Sequence, residues 1–354
     1  MTKNKLIFIL LLLLILAIST VFFKFYWHNS LKENNSTNKT TSYSEHKKVP
    51  LKIKLHKEMI GNFDGFTLLK EVLNKHYYVE FVEKDYDLLL DGPGYHHISK
   101  KQKTINKKFK ADTAIKIQYT WENEAPHLDM YDLSIGFEIL DHPKYFRLPL
   151  YYMWHGHNMH KHHKFSDCRP DKKKYFACFL VGNPGKNKSV FKGLEQDGAQ
   201  ARTRLFHMLS LYKDVQSGGR YLNNIGGPVP SKQTMEWLSN CKFVISYENQ
   251  MSPGYITEKS GQSYLSGSMP LYNGHESVFE DINKKSVIYS GDFATEEELV
   301  EYVKKVDNDD ELYCKIWRQK MFDRQGKSYD DMKKALAEKM IPIIDTKLKN
   351  NKTW

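Results

Sequence analysis

From residue 51 onward the apolar positions fall into short runs separated by stretches of helical spacing. Leu51-Lys52-Ile53-Lys54-Leu55 alternates with period two, which marks a strand with one buried face. Residues 67–76 have helical spacing, and Tyr77-Tyr78-Val79-Glu80-Phe81-Val82 reads as a second strand. Asp87-Leu88-Leu89-Leu90-Asp91-Gly92 reads as a buried strand entering a Gly-Pro turn. Ala114-Ile115-Lys116-Ile117-Gln118-Tyr119 is another strand, followed by the polar turn Glu122-Asn123-Glu124. Between residues 153 and 174 the pattern fails, and His, Lys and Asp dominate; this stretch is the expected junction. A second set of strands and helices follows. It comprises a strand at 175–181, a helix at 200–211, a strand at 241–247, a helix from Thr257, a strand at 269–272 and a helix at 295–306. The alternation predicts an α/β fold of two units with a cleft between them. Open α/β sheets bind ligands beyond the carboxyl ends of their strands.

Ahead of this lies a different pattern. Residues 6–23 are apolar apart from Ser19 and Thr20 and carry no charge. As a helix the run would reach about 27 Å, close to one bilayer core. A cleavable signal peptide would have a shorter apolar core and end in a small-x-small site. Here the run ends in Val21-Phe22-Phe23, then Lys24, Phe25, Tyr26 and Trp27, aromatics suited to a membrane interface. An uncleaved anchor is therefore expected, and Lys3, Lys5 and the free amine favour a cytoplasmic N-terminus. The polar, Asn/Ser/Thr/Lys-rich stretch that follows reads as a stem. Sequons at Asn34, Asn35, Asn38, Asn187 and Asn351 lend mild support to a lumenal location.

Composition narrows the classes. With 40% apolar residues the 354-residue chain can build a core, and its length suits two domains. Four cysteines without CxxC spacing exclude a disulfide scaffold and argue against structural zinc. A formal net charge of +11 suits nucleic acid, an acidic membrane surface or a phosphorylated ligand. No arginine-rich run or stacking platform supports nucleic acid. Asp85-Tyr86-Asp87 is a DxD, but it precedes its apolar strand, where metal–nucleotide DxD motifs follow theirs, so it reads as a solvated strand entry. His155, His157, His160, His162 and His163 cluster in the junction without a Cys partner at metal spacing.

Polar groups gather at strand ends and loops. Glu122 in Tyr119-Thr120-Trp121-Glu122-Asn123 is a carboxylate expected to face the cleft, a candidate base. Ser246-Tyr247-Glu248-Asn249 ends the strand at 241–247. In Tyr255-Ile256-Thr257-Glu258-Lys259, Thr257 is a candidate N-cap that places Glu258 and Lys259 in a first helical turn, where free N–H groups and the dipole attract phosphate. Ala201-Arg202-Thr203-Arg204 adds cations, and Gly218-Gly219-Arg220-Tyr221 marks a tight turn.

These stretches resemble the α-1,3-fucosyltransferases of glycosyltransferase family 10. They are joined by Tyr131-Asp132-Leu133-Ser134-Ile135-Gly136-Phe137, Arg147-Leu148-Pro149-Leu150-Tyr151, residues 217–227 and Gly254. The ordered set covers about residues 80 to 320. The resemblance implies a GT-B fold of two Rossmann-like domains facing a cleft, GDP-fucose as donor and no required metal or other cofactor. It implies that Arg202 and Lys259 contact the donor diphosphate, that Asn249, Tyr255 and Glu258 contact nucleotide and sugar, and that Glu122 is the general base. Arg202 is preferred to Arg204 because it keeps the spacing to Leu209 and Val215. The chain departs from the family pattern at Trp121, at Gln250-Met251-Ser252-Pro253, at Ser260-Gly261 and at Asn273.

The expected organisation is a tail and anchor (1–27), a stem (28–50), an acceptor-side domain (51–160), a GDP-fucose-binding domain (161–325) and a helical tail (326–354). The expected reaction is inverting transfer of L-fucose from GDP-fucose to a GlcNAc-containing glycan or glycoprotein, in α-1,3 linkage and in protein glycosylation. The enzyme would be a single-pass type II protein of the Golgi membrane. The alternatives are a bacterial inner-membrane enzyme and, in function, a membrane-anchored glycan-binding protein without transferase activity.

Overall fold

The computed structural model describes residues 48–56, 66–93, 98–99, 104–105, 107–152, 168–184, 198–322 and 328–351. The expected anchor, nearly all of the stem, the histidine cluster and the Asn187 sequon lie outside them. Among the described residues no helix is long and apolar enough to cross a membrane.

Two parallel sheets form the scaffold. The first uses β1 (Val49–Leu55), β2 (Tyr77–Phe81), β3 (Leu88–Asp91), β6 (Ile115–Tyr119), β7 (Leu133–Gly136) and β8 (Tyr145–Arg147), in the order β2-β1-β3-β6-β7-β8. A small hairpin, β4 (Ile98–Ser99) with β5 (Thr104–Ile105), lies between β3 and β6 in sequence. The second sheet has the order β10-β9-β11-β12-β13, from β9 (Tyr175–Phe179), β10 (Val215–Ser217), β11 (Cys241–Tyr247), β12 (Met269–Asn273) and β13 (Ile288–Tyr289).

Central parallel strands are covered on both faces and so lose alternation. All five residues of β6 and all seven of β11 are buried, including Lys116 and Lys242. Each lysine escapes lengthwise: Lys116 Nζ donates to the Asp112 carbonyl at 2.5 Å, and Lys242 Nζ lies 3.1 Å from Asp307. The alternation of β1 survives as buried Leu51 and Ile53 between exposed or half-exposed neighbours.

The helices are α1 (Thr67–His76), α2 (Lys107–Ala111), α3 (Gly198–Ser210), α4 (Thr234–Ser239), α5 (Glu258–Leu265), α6 (Glu296–Asp307), α7 (Asp310–Trp317) and α8 (Tyr329–Asn351). The segment expected as a C-terminal tail is α8, and it is no free tail. Met332, Leu336, Met340, Ile344 and Leu348, spaced by four, form its buried stripe. That stripe joins the core of the first sheet, and polar contacts pin it there: Tyr77 OH donates to Asp345 at 2.7 Å, Lys333 meets Glu71 at 3.0 Å, and Lys347 meets Asp132 at 2.7 Å.

Both sheets belong to one compact unit, Val49–Trp354. Arg147 on β8 forms a bidentate pair with Asp281 (2.8 and 2.6 Å). Gly254, with φ of +81°, sits where a Cβ would lie 2.3 Å from the Phe137 carbonyl, so only glycine lets these two segments approach so closely. The four cysteines form two disulfides, Cys168–Cys314 and Cys178–Cys241, with Cα–Cα distances of 5.7 and 5.9 Å. Both brace the second sheet.

Candidate active site

The segment leaving β11 and entering α5 is built around a buried carboxyl group, whose pKa burial raises. Glu248 is 0% exposed. Its Oε1 accepts the Thr257 N–H at 2.8 Å, and its Oε2 accepts the Thr257 hydroxyl at 2.6 Å. Lys259 Nζ reaches the same Oε2 at 3.3 Å. Thr257 does hold the N-cap position, but its hydroxyl serves Glu248 and makes no side-chain cap bond. Lys259 Nζ also lies 3.5 Å from Glu258. Burial by itself would lower the lysine pKa; Glu258 and Glu248 outweigh it and raise it, so Lys259 is held as a cation. Burial pushes the Glu258 carboxyl up, but Lys259 more than offsets this and holds it below the usual range. Lys259 keeps 22% of its side chain exposed. The small pair Ser260-Gly261 is buried, where α5 lies against β11 and β12.

Arg202 and Arg204 take opposite roles, since residues two apart on a helix point to different faces. Arg202 is 4% exposed; its Nη1 donates to Asn249 Oδ1 at 2.6 Å and its Nη2 to the Asn183 carbonyl at 2.9 Å. Arg204 is exposed and pairs with Glu296 at 2.7 Å. Arg202 is therefore the arginine that belongs to the Glu248–Lys259 cluster, and its charge is felt by Lys259. Asn249, its partner, is exposed.

From the first sheet, β6 ends in Tyr119, and the turn beyond it carries Glu122. The Thr120 hydroxyl donates to the Glu122 carbonyl at 3.1 Å and sets this turn. Trp121 packs on Phe66 with ring centroids 5.2 Å apart. The Glu122 side chain is exposed. Surrounding protein still raises its pKa by desolvation, Lys259 pulls it down and Glu258 pushes it further up. Those two couplings place Glu122 within electrostatic reach of the α5 pair. The neighbouring Asn123 is buried and spans the cleft: its Nδ2 donates to Gln250 at 2.5 Å, and its Oδ1 accepts from Ser252 at 2.6 Å. Tyr255 stacks edge-on against Phe137 at 4.6 Å, and its hydroxyl feels Glu248, Glu122, Glu258 and Arg202 together. The structure thus brings Glu122, Arg202, Asn249, Tyr255, Glu258 and Lys259 together where the turn after β6 meets the segment between β11 and α5, with Tyr255 and Arg202 buried.

Sequence reading missed the strut role of Glu248 and the bridges made by Asn123 and Arg147. A carboxylate directly after an unbroken buried strand was the available signal for the first. The Asp85-Tyr86-Asp87 motif is engaged in structural bonds: Asp87 accepts the Lys52 N–H at 2.9 Å and Tyr86 donates to Asp112 at 2.5 Å. The histidine cluster lies outside the described residues.

Comparison with known proteins gives a consistent picture. The family profile of glycosyltransferase family 10 (fucosyltransferase), C-terminal part, matches residues 170–351. The alpha-(1,3)-fucosyltransferase FucT of Helicobacter pylori is 28% identical over 272 residues, covering 67% of this chain and 54% of that protein. This chain therefore spans about half the length of that relative. The 4-galactosyl-N-acetylglucosaminide 3-alpha-L-fucosyltransferase 9 of Mus musculus is 33% identical over 145 residues, 40% of each chain. A crystal structure of an alpha1,3-fucosyltransferase superposes with a TM-score of 0.67 at 24% identity, over 85% of this chain and 92% of that one. Another, with GDP-fucose, gives a TM-score of 0.65 at the same identity, over 86% and 94%. The shared fold is of the α/β, GT-B-like type.

Proposed function

The chain belongs to glycosyltransferase family 10, the fucosyltransferases, and on that premise we propose that it transfers L-fucose from GDP-fucose to a glycan hydroxyl. The acceptor contains GlcNAc, the new linkage is α-1,3, the anomeric centre inverts, and the biological setting is protein glycosylation. One observation carries this reading: Asn123, next to exposed Glu122 of the first sheet, bonds Gln250 and Ser252 of the segment leading to the Lys259–Glu258 pair, within whose field Glu122 lies.

The chemistry follows from that juxtaposition. Breaking the bond from anomeric carbon to phosphate makes the sugar oxocarbenium-like and leaves negative charge on GDP. Lys259, Arg202 behind Asn249 and the N-terminus of α5 are preorganised cations and donors for that charge. Glu258 faces the sugar side, and buried Tyr255 supports it from the core, where it packs on Phe137. Glu122, on the opposite wall, takes the proton of the acceptor hydroxyl as the new bond forms; its raised pKa brings it nearer the working range of a base. With these cations in place the leaving group needs no metal, so transfer should be metal-independent. The test is GDP-fucose turnover by the full-length protein in detergent on a glycan array, with and without EDTA. Transfer to GlcNAc-containing glycans that survives chelation is expected. Activity lost in EDTA and restored by Mn²⁺ would overturn the metal-free mechanism, and absence of any transfer would favour a glycan-binding protein.

Residues 6–23 supply the membrane anchor in this reading, with the catalytic part in the Golgi lumen. The two disulfides support that side of the membrane, since such bonds persist in oxidising compartments.

A further inference from the structure

One place where the two sheets meet is a five-residue 3₁₀ helix, Glu276–Glu280, that follows β12. Its Val278 is buried in the core that also holds the first sheet. Each end of this helix carries a bond to the meeting line. Near its start, Ser277 Oγ accepts the Gly254 N–H at 2.8 Å. Just past its end, Asp281 holds Arg147 of β8. Arg147 Nε in turn donates at 3.0 Å to the Phe137 carbonyl, the atom that Gly254 approaches so closely.

A histidine caps this helix. His275 holds the N-cap position, and its Nδ1 accepts the Ser277 N–H at 3.2 Å. Ser277 Oγ lies 2.9 Å from the same nitrogen. A backbone N–H can only donate, so Nδ1 carries the lone pair and the ring proton sits on Nε2. Ser277 Oγ accepts from Gly254, which leaves its own hydrogen for Nδ1. Gly254 N–H, Ser277 O–H and His275 Nδ1 therefore run in series. The next 3₁₀ helix, Lys284–Ser286, is capped in the same way by Asn283, whose side chain accepts the Lys285 N–H at 3.0 Å. Asparagine is a common cap that does not titrate. An imidazole changes charge between pH 5 and 8.

We propose that His275 is a pH-sensitive positioning residue, which holds Gly254 against the first sheet through Ser277 when unprotonated and releases it when protonated. A proton on Nδ1 sets donor against donor at the Ser277 N–H and takes away the acceptor of the Ser277 hydroxyl. The segment so loosened runs from Gly254 through Tyr255 and Thr257 to Lys259, so acid would slacken the link between the Lys259 cluster and the first sheet. The charged and titratable groups that share a cavity with His275 are Glu276 beside it, Arg204 of α3, Glu296 of α6, and Tyr247 and Tyr289 of β11 and β13. Asp281 and Arg147 stand at the other end of the capped helix.

Hydrogen exchange on the full-length protein in detergent, without substrate, tests this latch apart from the proposed reaction. After correction for intrinsic rates, the Gly254 amide of wild type should lose protection roughly tenfold between about pH 8 and pH 5, the worth of one hydrogen bond. His275→Asn supplies the cap acceptor that Asn283 supplies next door and should keep its protection across that range. His275→Ala has no acceptor and should be weakly protected throughout. Unchanged protection in wild type, or an equal loss in His275→Asn, would overturn the latch. Its consequence for turnover rests on the fucosyltransferase reading: the acid limb of transfer should lie at lower pH in His275→Asn than in wild type, with equal rates near pH 8. Coincident acid limbs would overturn the link from latch to turnover. Absence of transfer by both proteins, with the exchange difference present, would bring down the fucosyltransferase reading and leave the latch standing.

Discussion

The first sheet offers the cleft Glu122, an exposed carboxylate on a turn whose backbone is tied by the Thr120 hydroxyl and by the Asn123 bridges. The second sheet offers a cluster in which Glu248, Thr257, Lys259, Glu258, Arg202 and Asn249 are bonded to one another or felt by one another. The same asymmetry runs through the scaffold. Both disulfides brace the second sheet, whereas the first is closed by the returning helix α8. In the proposed reaction the side that would stabilise a leaving diphosphate is already charged and internally bonded. The side that would take one proton from the acceptor carries its carboxylate on an exposed turn. Preorganised charge costs no reorganisation during the reaction, which is what the donor side needs. A base needs reach and a suitable pKa more than it needs partners.

Three experiments test how far that division of labour extends. The largest effect is expected from Glu122→Gln, which keeps the side chain's shape and removes the proton acceptor. Transfer should fall by roughly two to four orders of magnitude, with GDP-fucose affinity near wild type. Near-normal transfer to a good acceptor would show that the first sheet does not supply the base.

Next comes Lys259→Ala. It removes the cation between Glu248 and Glu258 and should cost roughly a hundred- to a thousand-fold in turnover, as for loss of one preorganised donor. Donor affinity, read by calorimetry, should fall by less, because only contacts stronger in the transition state raise the chemical rate. Equal losses in affinity and turnover would mean that the cluster binds the donor uniformly and contributes nothing specific to the chemical step.

The smallest effect is in the pH profile, and it probes the electrostatic coupling of Glu122 to the α5 pair. Desolvation raises the Glu122 pKa, Lys259 lowers it and Glu258 raises it. The base must be ionised, so activity should be lost as pH falls through a value above that of an ordinary glutamate. Glu258→Gln removes a raising charge, and its residual activity should persist to lower pH. Lys259→Ala removes a lowering charge, and its acid limb should move to higher pH. If neither variant displaces the acid limb, the two walls are not in electrostatic contact during turnover.

Much of the scaffold was legible because its signals are local. The alternation at 51–55, the helical spacing at 67–76 and the unbroken run at 241–247 each correspond to an element of the structure. The destination of the C-terminal helix was not legible, because a stripe spaced by four states that a helix is buried and says nothing of what buries it. The site divided in the same way. Lys259 and Glu258 follow a visible helix start. Glu248 looked like another strand-end carboxylate until Thr257 and Lys259 closed around it.

By itself the amino-acid sequence determined the α/β alternation, the main strands and helices, the family, and the residue types that can hold a diphosphate and accept a proton. These depend on hydrophobic period, on short motifs and on side-chain chemistry, all properties of neighbours along the chain. Only the tertiary structure decided which arginine of α3 turns inward. Helical geometry sets Arg202 and Arg204 on different faces, but the packing of α3 against the second sheet selects the one that meets Asn249. Packing also decided that Asn123 bridges to Gln250 and Ser252 and that Glu122 lies within the field of Lys259. These are relations between segments as many as 137 residues apart, as between Glu122 and Lys259, and no local pattern encodes them.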